Sequence, residues 1–151
     1  MALGHCEDLA TESLYSSNGL VDSTLDDNTA FRETFMVSSF DWLWPRISGP
    51  DSHIDGVKID VQGMEIQVLK GMTNTLHRFR PKLLVEIHKG VSRSNLLDVI
   101  ASIGYLPCGY PVEPLPGESE PVYADDRTYL FSSAPTDPVK ASMVNSSDLV
   151  S

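Results

Sequence analysis

Three side chains near the middle of the chain have the types and spacing for acid–base work or cation binding: Asp60, Glu86 and His88. Each carboxylate closes an apolar segment, and His88 follows Glu86 by two residues, on the same side of an extended backbone. A carboxylate and an imidazole at neighbouring strand ends can hold or move a proton on a hydroxyl. Each also has an ordinary use as a solvated strand-end group, or as a helix N-cap in the case of Asp60.

The elements that must position these residues lie between 54 and 88. Val57, Ile59 and Val61 share one face of an extended segment, and Lys58 and Asp60 share the other, where they can pair. Gly63 supplies the permissive backbone of a turn. The period then changes. Val68, Leu69, Met72, Leu76 and Phe79 recur at helical spacing, which predicts one amphipathic helix of about four turns that contains Gly71 and stops at Pro81. Glu65 falls in its first turn, where a carboxylate suits the helix dipole. The run 83–87 has the length of a buried strand. Two strands joined through such a helix should be parallel with a right-handed crossover, and ligands of open parallel sheets gather beyond the carboxyl ends of the strands.

The stretch KIDVQGMEIQVLKG with the later RPKLLVEIH closely resembles the C-terminal half of the FkbM-type methyltransferases. That family's pattern runs I-K-I-D-V-E-G-x-E, then V-L-x-G-A, then R-P-x-L-x-x-E-x-H. The chain carries it at Lys58, Ile59, Asp60, Val61, Gly63, Glu65, Val68, Leu69, Gly71, Arg80, Pro81, Glu86 and His88, and departs from it at Gln62 and Met72. The resemblance spans roughly residues 35–106. It implies a partial class I, Rossmann-like α/β methyltransferase sheet, mostly parallel with an antiparallel last strand. The implied activity is S-adenosylmethionine-dependent methylation of a small-molecule or sugar hydroxyl. Under it Asp60, Glu86 and His88 are the candidate catalytic residues. Asp60 comes first, as acceptor-orienting group, base or cation ligand. The segment MALGHCED is similar to the one leaving the family's third strand, which puts Ala2, Leu3 and Gly4 near the adenine pocket and makes Ala2, Leu3 and Asp60 the candidate cofactor contacts. Some related O-methyltransferases hold Mg²⁺ between strand-end carboxylates. Only two oxygen ligands are in view here, so no metal is assigned.

The glycine-rich turn and the upstream strand-end carboxylate that hold S-adenosylmethionine over the first two strands of such a fold are not found in the chain. The expectation is therefore a domain over 1–133 lacking its first strands, truncated at the N-terminus, with a disordered tail over 134–151. A sheet without its first strand exposes the edge of the strand ending at Asp60, which invites self-association. The alternative to an enzyme is an inactive fragment used as a structural or interaction module. A phospho-accepting receiver domain is set aside, since the late strand ends Phe131-Ser132 without the lysine such domains need.

Composition narrows the partners. Of 151 residues, 21 are acidic and 11 basic, and no basic cluster offers a phosphate-binding stripe, which disfavours nucleic acid. No apolar run spans a bilayer and the first residues lack a signal-peptide pattern, so a soluble cytoplasmic chain is expected. Two cysteines, Cys6 and Cys108, form no disulfide framework or metal pattern.

In the rest of the chain, residues 1–30 read as loop and 35–37 as a short strand. Ser38 or Ser39 caps a short helix ending near Pro45 or at the loop 48–51, with Trp42 and Trp44 expected in the core. A helix over 94–103 closes at Gly104, and Tyr105-Leu106 enters a strand. Residues 111–121, PVEPLPGESEP, form a loop, and 127–132 form the last strand.

Overall fold

A computed structural model describes residues 2–5, 9–17, 20–21, 31–49 and 51–135. Cys6 and the segment 136–151 expected to be a tail lie outside the described residues.

Two four-stranded sheets organise the described residues. The first contains β1 (Ala2–Leu3), β2 (Ala10–Ser17), β3 (Leu20–Val21) and β4 (Phe31–Ser38), in the order β1-β4-β2-β3. β2 and β4 pair antiparallel from Ala10↔Val37 to Ser16↔Phe31, and β1 runs parallel to β4. This sheet corrects the expectation of loop over 1–30 and lengthens the short strand at 35–37. The hydroxyl-rich run of β2 lacks a clear apolar alternation, yet it is held by a register with a partner some twenty residues away.

The second sheet contains β5 (Gly56–Ile59), β6 (Lys82–Ile87), β7 (Tyr110–Pro111) and β8 (Arg127–Phe131), in the order β5-β6-β8-β7. β5 and β6 are parallel as expected, and β8 is antiparallel to β6. β7 is also antiparallel to β8, so this sheet is mixed. β5 forms one edge of the sheet. Tyr105 contributes an isolated bridge to Ser133 rather than a strand.

Between β5 and β6 the expected single helix is two, α2 (Glu65–Lys70) and α3 (Thr73–Phe79). Gly71 and Met72 separate them, and the apolar period survives the break because Met72 and Leu76 stay buried beside Val68 and Leu69. The reason for glycine is contact. A Cβ on Gly71 would stand 1.9 Å from the carbonyl oxygen of Gly4, so the end of α2 abuts the first sheet. Arg80, at φ 49°, ends α3 before Pro81.

Helix α1 (Phe40–Ile47) is capped by Ser39, whose hydroxyl accepts from the Trp42 N–H. It runs past Pro45, which is exposed and sits near the C-terminal end of a short helix, where the loss of one hydrogen bond is tolerated. Neither tryptophan is buried, contrary to expectation. Trp44 stacks on Phe40 at 5.3 Å, and the Arg46 guanidinium lies 3.9 Å over the Trp42 ring. Asp41 ties α1 to α3 by accepting the N–H groups of Asn74 and Thr75, both at 2.8 Å.

Helix α4 (Arg93–Ser102) packs Leu96 and Ile100 into a core shared with Leu69, Leu76, Leu83, Val85, Ile87, Tyr105, Tyr129 and Phe131. Buried apolar surface of this extent is the main force holding strand ends at fixed positions. Gly104, at φ 84°, follows α4, and the Ala134 N–H donates to its carbonyl.

Candidate active site

The parallel register of β5 and β6 fixes the site. Ile59 pairs with Val85, so Asp60 and Glu86 leave their strands side by side, with His88 one step above. Donor atoms of Asp60, Glu86 and His88 all lie within 4.8 Å of one another. Asp60 is exposed, Glu86 half-buried and His88 buried.

Lys58 shares a strand face with Asp60, as its spacing requires. Its Nζ donates to Asp60 Oδ2 at 3.0 Å and stands 3.5 Å from Glu86 Oε2. The hydrogen bond and charge of Asp60 hold this ammonium above its ordinary pKa, with Glu86 adding to the effect. The Thr128 hydroxyl from β8 donates to Glu86 Oε2 at 3.2 Å.

His88 is held on both ring nitrogens. Nδ1 faces Glu65 Oε1 at 2.6 Å, and Nε2 faces the Gln62 amide at 2.8 Å, Asp60 Oδ1 at 3.5 Å and Glu86 Oε1 at 3.8 Å. Gln62 reaches the ring from a residue at φ 50°, followed by Gly63 at φ 94°, so the turn after β5 aims its side chain back across the strand ends. The backbone of the imidazole is anchored as well: Arg93 donates to the His88 carbonyl at 3.0 Å, the Val91 carbonyl at 2.7 Å and the Tyr123 carbonyl at 2.9 Å. A further ion pair joins Arg93 to Asp125.

Of the expected catalytic residues, the fold brings all three together. Of the expected cofactor contacts, Leu3 lines a cavity of about 540 Å³ with Phe40, Trp44, Ile54, Val57 and Met72. Asp60 adjoins that cavity between two of its lining residues, Ile59 and Val61. Ala2 is a backbone partner of Val37 in β1. The sequence pattern gives no role here to Gln62 or Arg93, and it places Glu65 at a helix start rather than among the candidate catalytic residues. For Glu65 a signal existed: it lies three, four and seven residues before Val68, Leu69 and Met72, on the apolar stripe of its helix, where a carboxylate needs a buried partner.

Set against the known protein families, residues 2–112 match the methyltransferase FkbM domain. The chain belongs to that family. No curated protein and no solved structure matches it significantly.

Methyltransferases in general use S-adenosylmethionine, and the cavity beside Leu3 matches part of that molecule. Its size is ordinary for a nucleoside, and its aromatic and aliphatic wall suits a flat purine. Its charged lining residues are Asp55 and Lys58. Among the described residues no run of glycines opens a helix at this edge, so the purine end finds a wall here while the methionine end finds no evident ligand set. Three donors of mixed type could hold a hard cation in principle. Here the Lys58 ammonium already sits on both carboxylates and the Gln62 amide caps His88 Nε2. No helix among the described residues is long and apolar enough to cross a membrane.

Proposed function

We propose that this domain transfers a methyl group from S-adenosylmethionine to a hydroxyl of a small molecule or sugar at the carboxyl ends of β5 and β6. The observation that carries this reading is the convergence of Asp60, Glu86 and His88 on one strand edge in a chain of the FkbM family. Bound S-adenosylmethionine supplies a methyl group activated by an adjacent sulfonium.

The chain's own residues prepare the acceptor. His88 Nε2 takes the hydroxyl proton as the oxygen becomes a nucleophile, a contribution of about 10²–10⁴-fold for a well-placed base. Asp60, the most exposed of the three, orients the acceptor by receiving a second hydrogen bond, as a neighbouring sugar hydroxyl would offer. Lys58 lies between the two carboxylates and offsets their charge at the strand edge. Leu3, Phe40 and Trp44 form the surface for the adenine ring.

The test of the cofactor surface is a thermal melt of the chain with S-adenosylhomocysteine. A ligand at about a hundred times its Kd stabilises by about 2.7 kcal/mol, a rise of several degrees in Tm. Leu3→Asp should abolish the rise. Absence of any rise in the unaltered chain would refute the assignment.

A second reading, a structural or interaction module without catalysis, draws on one observation: β5 is an edge strand flanked by an apolar cavity. A strand laid along that edge would gain both backbone hydrogen bonds and apolar contact.

A further inference from the structure

We infer that Glu65 is the positioning residue of this site, fixing His88 in the tautomer that carries its proton on Nδ1 and leaves Nε2 unprotonated, an acceptor that the Gln62 amide holds until the acceptor hydroxyl displaces it. The inference rests on the reading of His88 as the base and adds the element that makes its geometry definite.

Glu65 is fully buried at the start of α2, and its Oε1 receives two hydrogen bonds at once. One comes from His88 Nδ1 at 2.6 Å, the other from the Gly63 N–H at 3.1 Å. A charge-assisted contact of that length between buried groups is strong and directional. The second nitrogen agrees independently. The Gln62 amide nitrogen lies 2.8 Å from His88 Nε2, and an amide N–H₂ can only donate, so Nε2 is the acceptor. Both contacts select one tautomer of the neutral ring.

The other carboxylate oxygen, Glu65 Oε2, is buried and has no hydrogen-bond partner among the described residues. A buried carboxylate kept half-satisfied costs stability. A residue serving only to start α2 would be better placed with both oxygens in solvent. An oriented imidazole is what this arrangement provides, in the manner of other orienting carboxylates that hold a histidine by Nδ1.

Two substitutions test it. Glu65→Met removes the acceptor at nearly constant volume. Glu65→Gln keeps an oxygen there, since the Gly63 N–H and His88 Nδ1–H both require one. The tautomer of His88 is read directly from long-range ¹⁵N–¹H correlations of the imidazole, and transfer of labelled methyl from S-adenosylmethionine is followed separately. In the unaltered chain and in E65Q the proton should sit on Nδ1. In E65M, where the Gln62 amide is free to turn its oxygen toward the ring, the proton should shift to Nε2, with kcat falling about 10²–10⁴-fold and KM for the acceptor little changed.

An Nε2–H signal in the unaltered chain, or an E65M spectrum identical to it, would overturn the inference. So would E65Q losing as much kcat as E65M while both retain the Nδ1–H signal. If the unaltered chain shows the Nδ1–H signal and E65M loses it, yet neither transfers methyl, the positioning inference is upheld and the methyltransferase reading fails.

Discussion

Replacing Gly71 by alanine sets two effects of opposite sign against each other. Gly71 has ordinary right-handed backbone angles, φ −75° and ψ −3°, so alanine fits its conformation and should gain up to about 1 kcal/mol from helix propensity. Its added Cβ, however, would stand 1.9 Å from Gly4 O, 3.0 Å from the Gly4 carbonyl carbon and 3.2 Å from the Ser39 Cβ. Relief requires a backbone shift of more than an ångström, because the first of these neighbours cannot rotate away. Both sides of the contact are pinned: the Gly4 N–H donates to Ser38 O at 2.9 Å, and the Asp41 N–H donates to Gly71 O at 2.9 Å. Overpacking costs about 1–3 kcal/mol, and weakening two backbone hydrogen bonds adds about 1 kcal/mol each. Steric conflict wins, for a net loss of about 2–4 kcal/mol. At roughly 2–4 °C per kcal/mol for a chain of this size, Tm should fall by about 5–15 °C. Thermal melts followed by circular dichroism measure this. Gly49→Ala serves as the control, since among the described residues its Cβ would meet the Ser52 Oγ at an ordinary 3.7 Å; it should stay within about 0.5 kcal/mol of the parent. A G71A chain as stable as the parent would refute the close approach of α2 to the first sheet.

Three further outcomes are expected. Hydrogen bonds from Arg127, aided by the Leu115 N–H, hold the Glu118 carboxyl down at about 2. Because the folded value lies below the unfolded one, this contribution is present above about pH 4.5 and is lost as pH falls through about 2; Glu118→Gln should flatten that acid limb in pH-dependent melts. Tyr105→Phe should lower stability by about 1 kcal/mol in urea titration, since it strips the buried Pro81 carbonyl of a 2.7 Å hydrogen bond. The edge of β5 should support self-association: light scattering on the 16.6 kDa chain should give a mass above the monomer that rises with concentration and that Val57→Lys abolishes, whereas a monomer at every concentration would contradict it.

The strand–turn–helix–strand unit was legible in the sequence because its signals are local. Alternation marks β5, Gly63 marks the turn, helical spacing marks α2 and α3, and Pro81 marks the stop. The strand-end positions of Asp60, Glu86 and His88 follow from that unit alone. What escaped depends on contacts distant in sequence. β2 is written in Thr, Ser and Glu as much as in apolar residues, and only its register with β4 makes it a strand. The break at Gly71 left the apolar period intact, so periodicity could not show it; the cause is Gly4, sixty-seven residues earlier. Trp42 and Trp44 looked like core by type, but α1 buries none of its side chains. Glu65 falls at a helix start, where a carboxylate suits the dipole. Its place on the apolar stripe was the stronger signal, and it pointed to His88.

The most direct measurement for the central claim is transfer of a labelled methyl from S-adenosylmethionine to hydroxylated small molecules and sugars, comparing the unaltered chain with His88→Ala. The account predicts transfer by the unaltered chain and a loss of about 10²–10⁴-fold in kcat for H88A, assayed well below a Tm that falls because the buried Glu65 loses its partner. No transfer by the folded, unaltered chain, or equal rates for the two proteins, would contradict it.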